Sequence, residues 1–174
     1  MLSASALLLI ALPFFLPTLE ESQAATGRSR ENIRVSRLDE KMWSQIVAHR
    51  EGKGLLVNVW ATWCIPCVEE FPDLVRLDAE YRGKGLDVVV VSLDFDDEID
   101  GKVRPFLRRM KAGMPAYINA FAPPENLITA LHSDWSGGVP ATFVFDKNGR
   151  FVTMAVGKQS YKTLRGLAER ALAQ

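Results

Sequence analysis

The stretch from Leu55 to Leu77 constrains the fold of this chain more than any other. An apolar, β-branched run (Leu55, Leu56, Val57, Val59) has the signature of a buried strand. Val68, Phe71, Leu74, Val75 and Leu77 then recur at helical spacing. Between strand and helix stand Trp60-Ala61-Thr62-Trp63-Cys64-Ile65-Pro66-Cys67, which hold the only two cysteines of the 174 residues. The cysteines therefore fall where a strand feeds a helix N-terminus. Unpaired N–H groups and the positive end of the helix dipole stabilise an anion at that point. A cysteine there ionises more readily, and the thiolate is the nucleophile of disulfide exchange. Two intervening residues bring the second sulfur within disulfide reach, so the pair can attack a substrate and then close on itself. Pro66 lacks an N–H but fits the first helical turn, and it stiffens the loop.

Other chemistries for the pair find less support. A zinc site needs four ligands, yet there is no second Cys-x-x-Cys, and His49 and His132 are isolated. A c-type haem attachment needs His after Cys67, where Val68 stands. A copper or metal carrier with Cys64 and Cys67 as two soft ligands stays open as an alternative. Met110 and Met114 read as core filling rather than as copper ligands.

One domain is expected from the length. The 21 basic residues balance the 21 acidic ones, so nothing points to a nucleic-acid or polybasic membrane partner. Leu2 to Leu19 are almost wholly apolar, and Ser22-Gln23-Ala24-Ala25 supplies small residues for a signal peptidase. Residues 1–24 are thus expected to be an export signal cut after Ala24. An uncleaved membrane anchor is the alternative, because no Lys or Arg precedes the apolar run. Residues 25–32 read as a linker and 33–174 as the folded domain.

Within that domain Ile33 to Val35 are expected to form an edge strand. Ser36-Arg37-Leu38-Asp39 reads as a capping box ahead of a helix with Leu38, Met42, Ile46 and Val47 on one face. The redox helix is expected over Cys64 to Tyr81 with Pro72 inside it, followed by a buried parallel strand over Leu86 to Leu93. The acidic cluster Asp94, Asp96, Asp97, Glu98 and Asp100 fails as a calcium loop and is read as capping a helix from Asp97 to about Met110, which Pro105 bends. Tyr117 to Phe121 and Pro124 to Leu131 suggest a short strand and a helix. His132 and Trp135 read as packing residues. Ala141 to Phe145 and Arg150 to Val156 form a hairpin around Asp146-Lys147-Asn148-Gly149, and Ser160 caps a final amphipathic helix. Strand–helix–strand units before a closing hairpin give an α/β fold with a central mixed sheet flanked by helices.

Trp60-Ala61-Thr62-Trp63-Cys64-Ile65-Pro66-Cys67, with Glu70, Pro72 and the later Gly138-Val139-Pro140-Ala141-Thr142-Phe143, resembles the thioredoxin superfamily. The likeness is closer to its extracytoplasmic TlpA/ResA-like branch. The resemblance implies a thioredoxin-like fold with an insertion between Lys111 and Trp135, and a thiol-disulfide oxidoreductase that reduces protein disulfides. It implies Cys64 as the exposed nucleophile, Cys67 as the more buried resolving thiol, and Pro140 as a cis-proline facing them. Trp63, Val139 and Pro140 would shape the substrate groove. Cytosolic thioredoxins carry a buried aspartate where this chain has Asn58; Glu70 matches a glutamate of the TlpA/ResA-like branch and is the expected acid–base group. No cofactor is implied. Partners implied are protein disulfides, apocytochrome c among them, and a membrane electron donor, with the chain acting as a monomer. A thiol peroxidase is the remaining alternative, although the Pro-x-x-x-Thr-x-x-Cys motif of peroxiredoxins is absent and Trp60 stands in its stretch.

Overall fold

Side chains that alternate across six strands sort the core into two layers, one on each face of a single sheet. The computed structural model describes residues 33–173; the expected signal segment and linker lie outside them. Five helices are used below: α1 (Glu40–Ala48), α2 (Ile65–Tyr81), α3 (Arg104–Arg109), α4 (Asn126–Leu131) and α5 (Tyr161–Leu172). The strands are β1 (Val35–Leu38), β2 (Gly54–Trp60), β3 (Leu86–Ser92), β4 (Ala116–Asn119), β5 (Ala141–Phe145) and β6 (Phe151–Val156). They lie in the order β1-β4-β3-β2-β5-β6. β1, β4, β3 and β2 run parallel, and β5 and β6 close the sheet as an antiparallel hairpin against β2.

Central β2 is buried along its whole length, as its β-branched run predicts. Leu56 and Trp60 join Phe71, Leu74 and Leu77 of α2 and Leu164 and Leu167 of α5 on one face. Leu55, Val57 and Val59 meet Trp43 of α1, Leu127 and Leu131 of α4, and Phe143 on the other. This two-residue period puts Asn58 on the α2 face, between Leu56 and Trp60. Trp60, Phe71 and Phe106 make an aromatic cluster there, with ring centroids 4.7 to 4.9 Å apart.

The expected insertion is present as β4 and α4, and β4 slots between β1 and β3. Three boundaries differ from the sequence reading. Ser36-Arg37-Leu38 belongs to β1, where Leu38 is buried, and Asp39 is the N-cap, its side chain accepting from the Met42 amide at 2.7 Å. A strand residue cannot also open a helix, so the N-cap moves three residues on to Asp39, and with Met42 at the third helical position no capping box forms. The helix expected over Asp97 to Met110 is broken into a 3-10 turn, a π-turn over Ile99–Val103, and α3. Pro105 has no N–H for an interior helical bond, so regular α-helix begins only around it. Asp94 does not cap that helix at all; it is buried beneath the loop that leads to the cysteines.

α5 lies directly on the start of β2. A Cβ on Gly54 would stand 2.8 Å from the Ala171 Cβ and 2.9 Å from its carbonyl oxygen. Gly54→Ala is expected to destabilise the fold by about 1–3 kcal/mol through overpacking. Urea denaturation reads this as a lower midpoint at constant slope; an unchanged midpoint would mean that α5 shifts freely.

Candidate active site

β2 ends at Trp60, and its last ladder contact is the Leu93 amide donating to the Trp60 carbonyl at 2.9 Å. The chain then turns through Ala61, Thr62 and Trp63 to Cys64, which is the N-cap of α2. Cys64 and Cys67 form a disulfide, with their Cα atoms 5.2 Å apart. The Cys67 amide also donates to Cys64 Sγ at 3.3 Å. That contact is the helix N-terminus acting on the sulfur, as its place in the sequence predicts: free N–H groups of the first turn point at whatever occupies the cap. Pro66 sits in the first turn and Pro72 inside the helix.

Exposure orders the two cysteines but corrects one expectation. Cys64 is 6% accessible and Cys67 1%, so Cys64 is the more accessible without being exposed. Ile65 and Trp63 stand on either side of Cys64 in the chain. Both of those large apolar side chains are open to solvent.

Glu70 follows on α2 and is 1% accessible, so it is not an ordinary solvated helix carboxylate. Its Oε1 accepts from Asn58 Nδ2 at 2.9 Å, and its Oε2 accepts from the Gln159 amide. The second Asn58 Nδ2 bond goes to Thr142 Oγ1 at 3.0 Å. Burial pushes the Glu70 carboxyl above its ordinary range, against the opposing pull of the Gln159 and Asn58 donors. Asn58 therefore orients the carboxylate. Thr142 and Gln159 complete the arrangement, and no local sequence pattern links either to Glu70.

The Val139–Pro140 peptide is cis, as expected from the resemblance. Val59 pairs with Ala141 at the end of the β2–β5 ladder, so Pro140 leaves β5 at the sheet end from which Trp60 leads to Cys64. The segment is held from both sides. Trp135, buried edge-on against Phe143, donates from Nε1 to the Gly138 carbonyl at 2.8 Å. The Gly157 amide donates to the Pro140 carbonyl at 2.8 Å. His132 stacks on Phe151, and Met114 is buried in the core, which matches their reading as packing residues.

The sequence reading missed two surface groups and one buried one. Phe95 and Val156 are the other large apolar side chains, besides Trp63 and Ile65, that stand exposed among the described residues. Val156 pairs with Ala141 next to Pro140, and Phe95 follows Asp94. The Asp94 carboxylate holds Thr62, two residues before Cys64.

A disulfide at a helix N-cap, a cis-proline at the same sheet end and a buried carboxylate behind them, all on this sheet order, define a thioredoxin-type thiol-disulfide oxidoreductase. The chain belongs to the AhpC/TSA family, whose sequence model matches residues 34–154. It is 26% identical over 152 residues to the thiol-disulfide oxidoreductase ResA of a Bacillus cereus strain, covering 87% of this chain and 81% of that protein. It is 39% identical over 110 residues to the thiol:disulfide interchange protein HelX of Rhodobacter capsulatus, covering 62% of this chain and 54% of HelX. Among solved structures, a thioredoxin-family thiol:disulfide interchange protein from Chlorobium tepidum TLS matches with a TM-score of 0.61 at 26% identity. That match covers 72% of this chain and 83% of the other.

Proposed function

We propose that this protein reduces disulfides of exported polypeptides, with Cys64 as nucleophile and Cys67 as resolving thiol. The observation that carries this is the Cys64–Cys67 disulfide at the start of α2, with Cys64 the more accessible residue and its Sγ bonded by the Cys67 amide. In the reduced protein the Cys64 thiolate attacks one sulfur of a client disulfide. A mixed disulfide forms and the other client sulfur leaves as a thiolate. Cys67 then loses its proton to Glu70 and attacks Cys64 Sγ. The Cys64–Cys67 bond forms, the mixed disulfide breaks, and the second client sulfur leaves to be protonated. Two electrons pass to the client for each disulfide formed in the protein.

Pro140 lacks an N–H, so no amide of its own stands beside the sulfurs, and Val139 offers backbone groups to an extended client segment. Trp63 and Ile65 flank Cys64 in the chain, Phe95 follows the Asp94 that bonds Thr62, and Val156 pairs beside Pro140. These exposed apolar side chains suit a client whose cystine lies among apolar residues in an unfolded chain. The apolar segment Leu2 to Leu19 and Ser22-Gln23-Ala24 support a place outside the cytoplasm, reached by a cleaved signal or held by an uncleaved anchor. In an oxidising compartment the disulfide must be returned to the dithiol by a donor in the membrane. The resemblance to the TlpA/ResA-like branch favours apocytochrome c as client.

Insulin reduction with a chemical donor, run beside hydroperoxide consumption and a Cu(I) thiol titration, tests the reading. Turnover of insulin alone is expected; peroxide turnover or tight Cu(I) binding without insulin reduction would replace it. Mass spectrometry of the native protein is expected to find a chain beginning near Ala25 outside the cytoplasm, and intact Met1 in a soluble cytoplasmic fraction would contradict the export reading.

A further inference from the structure

Resting on that redox reading, we infer that Asp94 is a positioning residue that latches the loop before Cys64 and so fixes the attacking sulfur at the cap of α2. Asp94 is 3% accessible at the end of β3. Its Oδ2 accepts from the Thr62 amide at 2.9 Å and from Ser92 Oγ, and its Oδ1 accepts from Thr62 Oγ1. Its own amide donates back to Ser92 Oγ at 3.0 Å. Every one of these hydrogen-bond donors to the carboxylate is neutral. Lys102 feels the charge but bonds Glu98 instead. A buried carboxylate without an ion-pair partner persists only where hydrogen bonds satisfy it, and here three such bonds converge.

Two of the three go to one residue, Thr62. The loop needs such a tie, because the β2–β3 ladder ends with the Leu93-to-Trp60 bond. The next fixed contact is the Cys64 amide on the Ala61 carbonyl at 3.2 Å. Thr62 lies between them and is held by Asp94 alone among its side-chain partners. With Thr62 fixed, Trp63 and Cys64 follow in one orientation, and Cys64 Sγ stays against the Cys67 amide. That contact both stabilises the thiolate and sets its line of attack, and misplacement of a reacting atom by about 1 Å can slow a reaction about a hundredfold.

The test is carried out on pre-reduced protein without any disulfide substrate, so it stands apart from the reductase reading. The alkylation rate of Cys64 by iodoacetamide at pH 7 and the pH midpoint of thiolate absorbance are measured. Asp94→Ala is expected to slow alkylation about tenfold and to move the midpoint upward, because Cys64 Sγ drifts from the Cys67 amide. Loss of the carboxylate charge alone, which Asp94→Asn shares, acts in the opposite direction. Asp94→Asn keeps an acceptor for the Thr62 amide and sets a donor against Thr62 Oγ1, so it is expected to retain the wild-type rate within about twofold. Thr62→Val removes one arm while leaving Asp94 in place, with a fall of about threefold expected; it carries the test if Asp94→Ala fails to fold. A folded Asp94→Ala that alkylates at the wild-type rate, a Thr62→Val that does so, or an Asp94→Asn as slow as the alanine variant would overturn the latch. Failure of the wild-type protein to reduce insulin would strike the proposed function and leave this result readable.

Discussion

Cys64→Ser is expected to abolish disulfide reduction, with a loss of at least roughly a thousandfold, because no other group supplies the nucleophile. Cys67→Ala is expected to fail differently. Its Cys64 still attacks, since the helix N-terminus that activates the sulfur remains, but nothing follows to break the mixed disulfide. The variant should therefore accumulate covalent client adducts, visible on a non-reducing gel and released by reductant. Serine at position 64 should form none. Equal trapping by the two variants would contradict the assigned roles, and the identity of the trapped proteins would name the clients.

The second large effect is expected at Glu70. Residues three apart share a helix face, so Glu70 lies on the Cys67 side of α2. Its carboxylate is buried, and burial raises its affinity for a proton, which improves its match to a thiol as proton donor. Glu70→Gln should slow release of the mixed disulfide by roughly a hundredfold while leaving the first attack nearly intact. Loss of the negative charge should also let Cys64 ionise at lower pH. Asn58 can turn its own amide to present Oδ1 to the new amide and to the Thr142 hydroxyl. This moves its Nδ2 to the buried position where Oδ1 now has no partner, so a general loss of stability at all pH values is expected in this variant. Stability supplies an independent reading. A carboxyl whose pKa is raised by folding stabilises the native state most at low pH. That contribution is lost as pH rises from its unfolded pKa through its folded one. Wild-type stability should fall across that window, and Glu70→Gln should remove that component of the fall. Rapid-quench single turnovers and urea midpoints at several pH values report both effects. An unchanged resolution rate would return Glu70 to a purely structural role.

The parts of this molecule that were legible in the sequence are those written in adjacent residues. The Cys64–Cys67 junction, the β2 run, the closing hairpin and the Ser160 cap each depend on a local pattern, and each appears where that pattern sets it. Pro140 was legible through resemblance, since no local rule marks a proline as cis. What stayed hidden depends on contacts across the sheet. Asp94 belongs by sequence to a run of acids, and only the β2–β3 pairing brings it under Thr62. Thr142 and Gln159 reach Asn58 and Glu70 from segments 84 and 89 residues away along the chain. The accessibility of Cys64 was overestimated because the residue packs into the core cluster on the α2 face of the sheet. The capping box at Ser36 was locally plausible, but β1 pairing with β4 claimed those residues first.

A single-turnover transfer tests the central claim most directly. Pre-reduced protein is mixed with one equivalent of a peptide containing a single disulfide, quenched in acid at intervals, and weighed intact. The account predicts that the peptide loses its disulfide as the protein gains the Cys64–Cys67 bond, one for one, through a transient adduct carried on Cys64. A peptide that stays oxidised beside a protein with both cysteines still reduced would contradict it.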